Sequence, residues 1–176
     1  MSVELGSLQC FEDCEDQAQM LMQALAEEMM SDSHKRYVVW SAVMAAKDDQ
    51  LLELVKAEIG ELTETEKRDV RFALSRMSVT NPYFFSRNFA QVNAGGSLDV
   101  LNMRPFSSIN VHDETGYHYA CIAISMVNGG YNCFRSHVAS LQQAQEGDQA
   151  IDQAMRITAG LLAMRQAIFT QQQWGA

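Results

Sequence analysis

The amino-acid sequence predicts an all-α protein. Apolar residues recur every three or four positions over most of the chain, which is the period of a helix with one buried face. No segment alternates apolar and polar residues as a half-buried strand does, and there are only 2 prolines in 176 residues. The length is typical of one domain, predicted at 1–176, with N-terminal helices in 1–70 and further helices in 71–176.

The first half of the chain is predicted to contain four helices. Ser7 belongs to the residue types that cap helix N-termini, and Ser31-Asp32-Ser33 interrupts the pattern that follows it. Thr63 and Glu66 have the spacing of a capping box, and Asn81-Pro82 ends the fourth helix because proline lacks an amide hydrogen. The predicted ranges are about 7–30, 34–46, 49–61 and 63–80.

The second half is predicted to continue as helices separated by short breaks. Gly95-Gly96 and Gly129-Gly130 are two of these breaks. The helix that precedes the second break is nearly all apolar beyond Tyr119, which predicts burial on every side. The predicted order is a short aromatic-rich helix at about 82–92, a segment at 98–105, a loop at 107–113, and helices at 114–127, after 130 to about 145, and 148–168.

The net charge of −9 is concentrated in the first third of the chain. Residues 1–66 carry 15 acidic and 4 basic side chains, whereas residues 67–176 carry 7 acidic and 9 basic ones. Nucleic acid is not an expected partner, because phosphate binding needs clustered lysine and arginine. No apolar run is long enough to predict a membrane span. The acidic third either offers a docking surface to a partner or only solvates the helices.

The four cysteines are Cys10, Cys14, Cys121 and Cys133, and no two of them form a Cys-x-x-Cys pair. With no secretory apolar region at the N-terminus, they predict a reducing compartment and a cytoplasmic protein without a disulfide scaffold. Cys10 and Cys14 lie among four acidic residues, which disfavour the thiolate. We therefore expect these two cysteines to be poor nucleophiles.

The strongest chemical signal is the sequence VNGGYNCFRSH at positions 127–137. Cys133 follows a glycine pair that is predicted to start a helix, and His137 is four residues later, on the same helix face. The unpaired amide groups of a helix start and a neighbouring imidazolium both favour a thiolate. Cys133 is therefore the predicted nucleophile, and His137 is the predicted acceptor of its proton.

This segment resembles the active-site motif of the alkyl hydroperoxidase D branch of the carboxymuconolactone decarboxylase superfamily, Val/Ile-Asn-Gly-Cys-x-x-Cys-x-x-x-His. The stretches 81–89, 101–105 and 117–125 are similar to the helices that precede this motif, so the resemblance covers about 70–170. It implies an AhpD-like helical fold and a homo-oligomer, commonly a trimer or hexamer. It also implies a thiol peroxidase in which the second cysteine attacks the peroxide and the first resolves the product.

Two departures from the family motif affect the chemistry. Gly130 replaces the first cysteine, so the local disulfide cannot form, and His118 stands where the family often has a glutamate in its proton relay. His118 either preserves that relay or marks a lost function. Glu114, one turn earlier, either orients the His118 ring or is an exposed acid favoured by the helix start.

Other residues near the motif carry alternative interpretations. Cys121 is either a substitute resolving thiol for Cys133 or a small buried core residue. Tyr131 and Asn132 occupy variable motif positions, where they are expected to shape access to the thiol. A set of aromatic residues is expected mainly to pack in the core, the alternative being the wall of a substrate cavity. This set is Tyr83, Phe84, Phe85 and Phe89.

The leading hypothesis is a cofactor-free antioxidant enzyme that reduces small hydroperoxides or related electrophiles, with an external thiol, a peroxiredoxin-type partner or Cys121 as reductant. The alternative is a catalytically degenerate AhpD-fold oligomer with a binding or structural role. A zinc site made of His118, Cys133 and His137 is a weaker alternative, disfavoured by few ligands and irregular spacing, so no metal is expected.

The sequence also contains a faint internal repeat. A shift of 82 positions places Tyr37 on Tyr119 and Leu51 on Cys133. The repeat is either a degenerate duplication of a helix-break-helix unit or a chance similarity.

Overall fold

A computed structural model describes residues 14–174. In this range the chain forms seven α-helices and no β-strand, which confirms the predicted all-α class. Turns of 3-10 helix at Asp99–Leu101 and Phe106–Ser108 lie between the fourth and fifth helices. The helices are α1 Glu15–Ala26, α2 Asp32–Ala46, α3 Asp49–Ile59, α4 Glu64–Ser86, α5 Glu114–Asn128, α6 Tyr131–Gln143 and α7 Asp148–Trp174.

Helix α5 is the centre of the fold. It packs against α2, α4, α6 and α7. Its ten consecutive residues from 116 to 125 are all buried, as its apolar sequence predicts. Burial of one apolar side chain contributes roughly 1.5–3 kcal/mol, so this helix supplies much of the core. It also holds His118 and Cys121 in fixed positions.

Helix α4 begins as predicted but does not end where predicted. Thr63 and Glu66 form the expected capping box. The helix then continues through Pro82 to Ser86, so the predicted stop before Asn81 and the separate helix at 82–92 are wrong. Proline in a helix interior costs about 3 kcal/mol. The residue before the proline, Asn81, makes tertiary contacts that offset this cost. Asn81 is buried, and its Nδ2 donates to Ser125 Oγ of α5 at 3.0 Å.

Helix α1 ends four residues earlier than predicted, and its predicted cap, Ser7, lies outside the described residues together with Cys10. The cause is Gln153 of α7, which is fully buried. Its Nε2 donates to the carbonyls of Ala24 and Glu27, and its Oε1 accepts from the amide of Met30. One distant amide side chain thus satisfies backbone groups that a longer helix would have paired internally.

A buried carboxylate fixes the start of α5 against α2 and α4. Asp69 of α4 accepts hydrogen bonds from Tyr37 Oη at 3.0 Å and from the amides of His112 and Asp113 at 3.0 and 3.1 Å. Asp113 in turn accepts from the amide of Gly116 as the N-cap of α5. These hydrogen bonds fix where the N-terminus of α5 lies relative to α2 and α4, and therefore where His118 lies.

The helix bounds follow the 82-residue offset of the repeat. Helix α2 begins and ends 82 positions before α5, and α3 begins 82 positions before α6. Lys47 and Gly129, which are also 82 positions apart, both end their helices in the left-handed conformation. In the described range, no helix combines the length and apolar character that crossing a membrane requires.

Candidate functional site

The candidate site is built at the break between α5 and α6. Gly129 ends α5 with φ +68°, a conformation that glycine adopts without strain. Gly130 is the N-cap of α6, and the amide of Phe134 donates to its carbonyl at 2.9 Å. Cys133 is the third residue of the new helix, so its side chain lies beside the positive end of the helix dipole, as predicted.

The structure leaves no space for a side chain at Gly130. A Cβ there would lie 2.7 Å from Asn81 Cβ and closer still to the Asn81 amide group. Asn81 is 1 % exposed, donates to Ser125 Oγ and accepts from Asn128 Nδ2 at 3.2 Å. The place of the family's first cysteine is therefore filled by a hydrogen-bonded asparagine from α4.

Two histidines from neighbouring helices lie side by side at the candidate site. His118 Nδ1 of α5 and His137 Nδ1 of α6 are 2.9 Å apart, which is a hydrogen bond. On the far side of its ring, His118 Nε2 lies 3.8 Å from Glu114 Oε1. Phe106 stacks on His118 with ring centroids 5.6 Å apart, and Tyr117 meets His137 edge to face. The structure thus joins three of the predicted site residues in one row.

The hydrogen bond between the two rings requires one of them to donate from Nδ1 and the other to accept. A neutral imidazole has one donor and one acceptor nitrogen. Because the Glu114 carboxylate only accepts, we assign the hydrogen of His118 to Nε2 and leave Nδ1 as an acceptor. His137 must then donate from Nδ1, so its Nε2 carries a free lone pair. In this assignment the lone pair on His137 Nε2 is free to accept a proton.

Burial keeps both rings neutral. It lowers the pKa of His118, and the Glu114 carboxylate only partly opposes this effect. Burial lowers the pKa of His137 to about 3, and the Arg76 guanidinium and any proton on His118 oppose its protonation further. The predicted imidazolium beside Cys133 is therefore not the resting state of the site. The pair instead rests as two neutral imidazoles that share one hydrogen bond.

This arrangement predicts a stability that falls at mildly acidic pH. A histidine in the unfolded chain binds a proton below its ordinary pKa of 6.5, whereas the buried pair does not. Stability is thus fully present above pH 6.5 and is lost as pH falls towards the lowered values, by at most about 1.4 kcal/mol per pH unit for each histidine. The measurement is the free energy of unfolding in urea between about pH 6.5 and 5.

The matched variants for this test are His118→Gln with His137→Gln, and His112→Gln on the exposed surface. The double variant should show a clearly shallower slope with pH, while His112→Gln should keep that of the wild type. Equal slopes for the wild type and the double variant would contradict the neutral resting pair.

Cys133 and the histidine pair line one cavity of about 490 Å³. Cys133 is 7 % exposed and lies in the lining of this space. The hydrogen bonds of residues 14–174 include none between Cys133 Sγ and either imidazole. Such contacts are often long before a substrate binds, and the shared cavity keeps both groups available to one small molecule.

The remaining predicted residues have different places. Cys121 is fully buried behind the site, and burial raises the pKa of its thiol. Asn132 lines the cavity and donates to the Phe84 carbonyl at 2.9 Å. Tyr131 is exposed, with the Arg135 guanidinium over its ring, and is not part of the cavity lining.

The aromatic set divides in the structure. Phe84 lines the cavity, and Tyr83 Oη accepts from the amide of Gly96. Phe85 and Phe89 are exposed, so the expectation that they pack in the core is wrong for these two. Their hydrophobicity gave no indication of which side of α4 would remain uncovered.

Metal binding finds no support in the arrangement of side chains. Across the described part of the chain, no three histidine, cysteine, aspartate or glutamate residues are grouped so that they could hold a metal ion. His118 Nδ1 and His137 Nδ1 are hydrogen-bonded to each other, so these two nitrogens do not point at a shared metal position. The geometry of these side chains therefore does not favour the zinc alternative.

The sequence did not identify several residues of the site, among them Arg76, Phe106 and Asn81. Arg76 and Phe106 line the cavity, and Asn81 occupies the space beside Gly130. The motif could not reveal them because they come from α4 and from a loop that precedes α5. Nothing in the local sequence around Gly130 indicated Asn81.

The fold and the site define an all-helical protein with one cavity-lining cysteine at a helix start and a pair of buried histidines. No family model matches this chain. Over 139 residues it is 24% identical to "Alkyl hydroperoxide reductase AhpD" of Mycolicibacterium paratuberculosis, covering 76% of this chain and 78% of that protein. It is also 24% identical over 148 residues to the protein of the same name from Mycobacteroides abscessus, covering 81% of each chain. The chain is an AhpD-like protein.

Proposed function

We propose that this protein reduces small hydroperoxides through the Cys133 thiol, with His137 and His118 moving the proton. The observation that carries the proposal is that Cys133, in the first turn of α6, and the hydrogen-bonded histidine pair line the same cavity. The similarity to two proteins named as alkyl hydroperoxide reductases supports the choice of substrate.

The proton path begins at Cys133 and runs along the histidine row. The thiol proton passes to the free Nε2 of His137, either directly or through one water. His137 passes its Nδ1 proton to His118 Nδ1, and His118 releases its Nε2 proton towards Glu114, whose side chain is 69% exposed. Neither buried ring has to remain charged, which avoids the desolvation cost of an imidazolium.

The bond changes occur at the sulfur. The thiolate attacks the outer oxygen of the hydroperoxide, the S–O bond forms and the O–O bond breaks. The leaving alkoxide takes back one proton from His137 Nε2 as the row returns to its first tautomers. The products are an alcohol and a sulfenic acid on Cys133, so the substrate is reduced and the sulfur is oxidised by two electrons.

An external dithiol is the reductant that this geometry favours. One of its thiols attacks the sulfenic sulfur and releases water, and the second then displaces Cys133 from the mixed disulfide. Gly130 cannot resolve the sulfenic acid. Cys121 is a poor substitute because burial raises the pKa of its thiol, and a protonated thiol does not attack.

The function is tested by treating the reduced protein with one equivalent of cumene hydroperoxide in the presence of a sulfenic-acid probe. Peptide mass spectrometry should find the label on Cys133 and not on Cys121 or Cys14. With an excess of dithiol, hydroperoxide should then be consumed over many turnovers. Absence of selective labelling at Cys133 would defeat the proposal.

A second candidate is an AhpD-fold protein that has lost catalysis and retains a binding or structural role. The observation that favours it is the replacement of the resolving position by Gly130, with Asn81 packed into the freed space. The labelling experiment separates the two candidates, because a degenerate site gives neither a labelled Cys133 nor turnover.

A further inference from the structure

We propose that the cavity is selective for hydroperoxides that also carry a carboxylate, and that the Arg76 guanidinium binds this carboxylate. This substrate class rests on the proposed function of the same cavity. Arg76 is then a specificity-determining residue and takes no part in the proton path.

The cavity is larger and more apolar than hydrogen peroxide requires. Its volume of about 490 Å³ is within the range of roughly 300–1,000 Å³ that is typical of sites for organic ligands. Met77, Phe84, Leu98 and Phe106 supply apolar lining. A hydrocarbon chain can therefore extend from the sulfur along these side chains, removing apolar surface from water.

Arg76 places a positive charge in this apolar lining. Its Nη1 donates to the Arg104 carbonyl at 3.0 Å, which leaves further donors of the guanidinium free. In residues 14–174 it forms no ion pair with a carboxylate. A planar guanidinium matches a carboxylate with two parallel hydrogen bonds.

Two further arginines contact Phe72, which lies one turn before Arg76 on α4, and one of them, Arg68, is also 3.7 Å from Asp69 Oδ1. The Arg68 and Arg104 guanidinium groups both lie over the Phe72 ring, at 4.9 and 5.5 Å from its centroid. This contrasts with the net charge of −9 of the whole chain. Among the described residues that line the cavity, Glu114 is the one acidic side chain, and it faces His118. An anionic group therefore meets favourable charge at the Arg76 side of the cavity.

A binding experiment tests the carboxylate site without any turnover. Octanoate and octan-1-ol are titrated by calorimetry into the full chain carrying Cys133→Ser, with and without Arg76→Gln. Loss of a charge-assisted hydrogen bond should weaken octanoate binding roughly tenfold and leave octan-1-ol binding unchanged. The control Arg71→Gln, on the exposed face of α4, should change neither. Absent octanoate binding, or binding insensitive to Arg76→Gln, would overturn the inference.

A kinetic experiment then connects the site to the substrate. The protein with Cys133 intact is compared on linoleic acid hydroperoxide and on its methyl ester. Arg76→Gln should lower the acid-to-ester ratio of kcat/KM roughly tenfold, mainly through KM. If neither hydroperoxide is consumed, the proposed function fails while the octanoate result still decides the carboxylate site. If both are consumed with an unchanged ratio, the inference fails and the function stands.

Discussion

Replacing Cys133 by serine is expected to lower hydroperoxide consumption by at least about a thousandfold, since a serine hydroxyl cannot form the S–O bond. The fold should not change, because serine is nearly isosteric with cysteine and the position is the third residue of a helix. The measurement is the initial rate with cumene hydroperoxide and excess dithiol, together with the melting temperature.

Cys121→Ser is the matched control for the Cys133 variant. Cys121 is buried behind the cavity, so its replacement should leave the rate within about twofold if an external thiol is the reductant. A comparable loss in both variants would instead assign Cys121 the resolving role. Equal rates for the wild type and Cys133→Ser would end the peroxidase proposal.

Introducing the missing family cysteine is expected to destabilise the protein rather than improve it. In Gly130→Cys the new Cβ overlaps Asn81 and forces it away from Ser125 and Asn128. Overpacking costs about 1–3 kcal/mol, and the buried polar groups left unpaired add about 1–3 kcal/mol. We expect a total loss of roughly 2–6 kcal/mol in the free energy of unfolding, measured in urea.

The double variant Gly130→Cys with Asn81→Ala should recover part of this loss and contain a pair of thiols that oxidises readily, as counted with a thiol reagent before and after mild oxidation. Gly147→Cys is the control, because a Cβ at that exposed glycine has no atom within 4 Å. It should change stability by no more than about 0.5 kcal/mol. If Gly130→Cys alone is as stable as Gly147→Cys, Asn81 does not fill the resolving position.

Features that depend only on residues close together in the sequence could be predicted from the amino-acid sequence alone. The helical class follows from apolar periodicity, the start of α4 from the Thr63–Glu66 capping box, and the buried α5 from its nearly continuous apolar sequence. The thiol at the start of α6 and the histidine one turn later also follow from local spacing. These features lie within one helix or one turn, where sequence distance fixes spatial distance.

The surroundings of that thiol depend on contacts between helices and could be learned from the folded chain only. The continuation of α4 through Pro82, the bond between His118 and His137 and the asparagine beside Gly130 all depend on contacts between different helices. Arg76 of α4 binds a carbonyl of the segment that connects α4 to α5. Local propensity disfavoured the continuation of α4, and nothing in the sequence indicated the others. Packing of α4 against α5 and α6 overrides a local cost of a few kcal/mol because many buried contacts act together, and no sequence window contains both partners of such a contact.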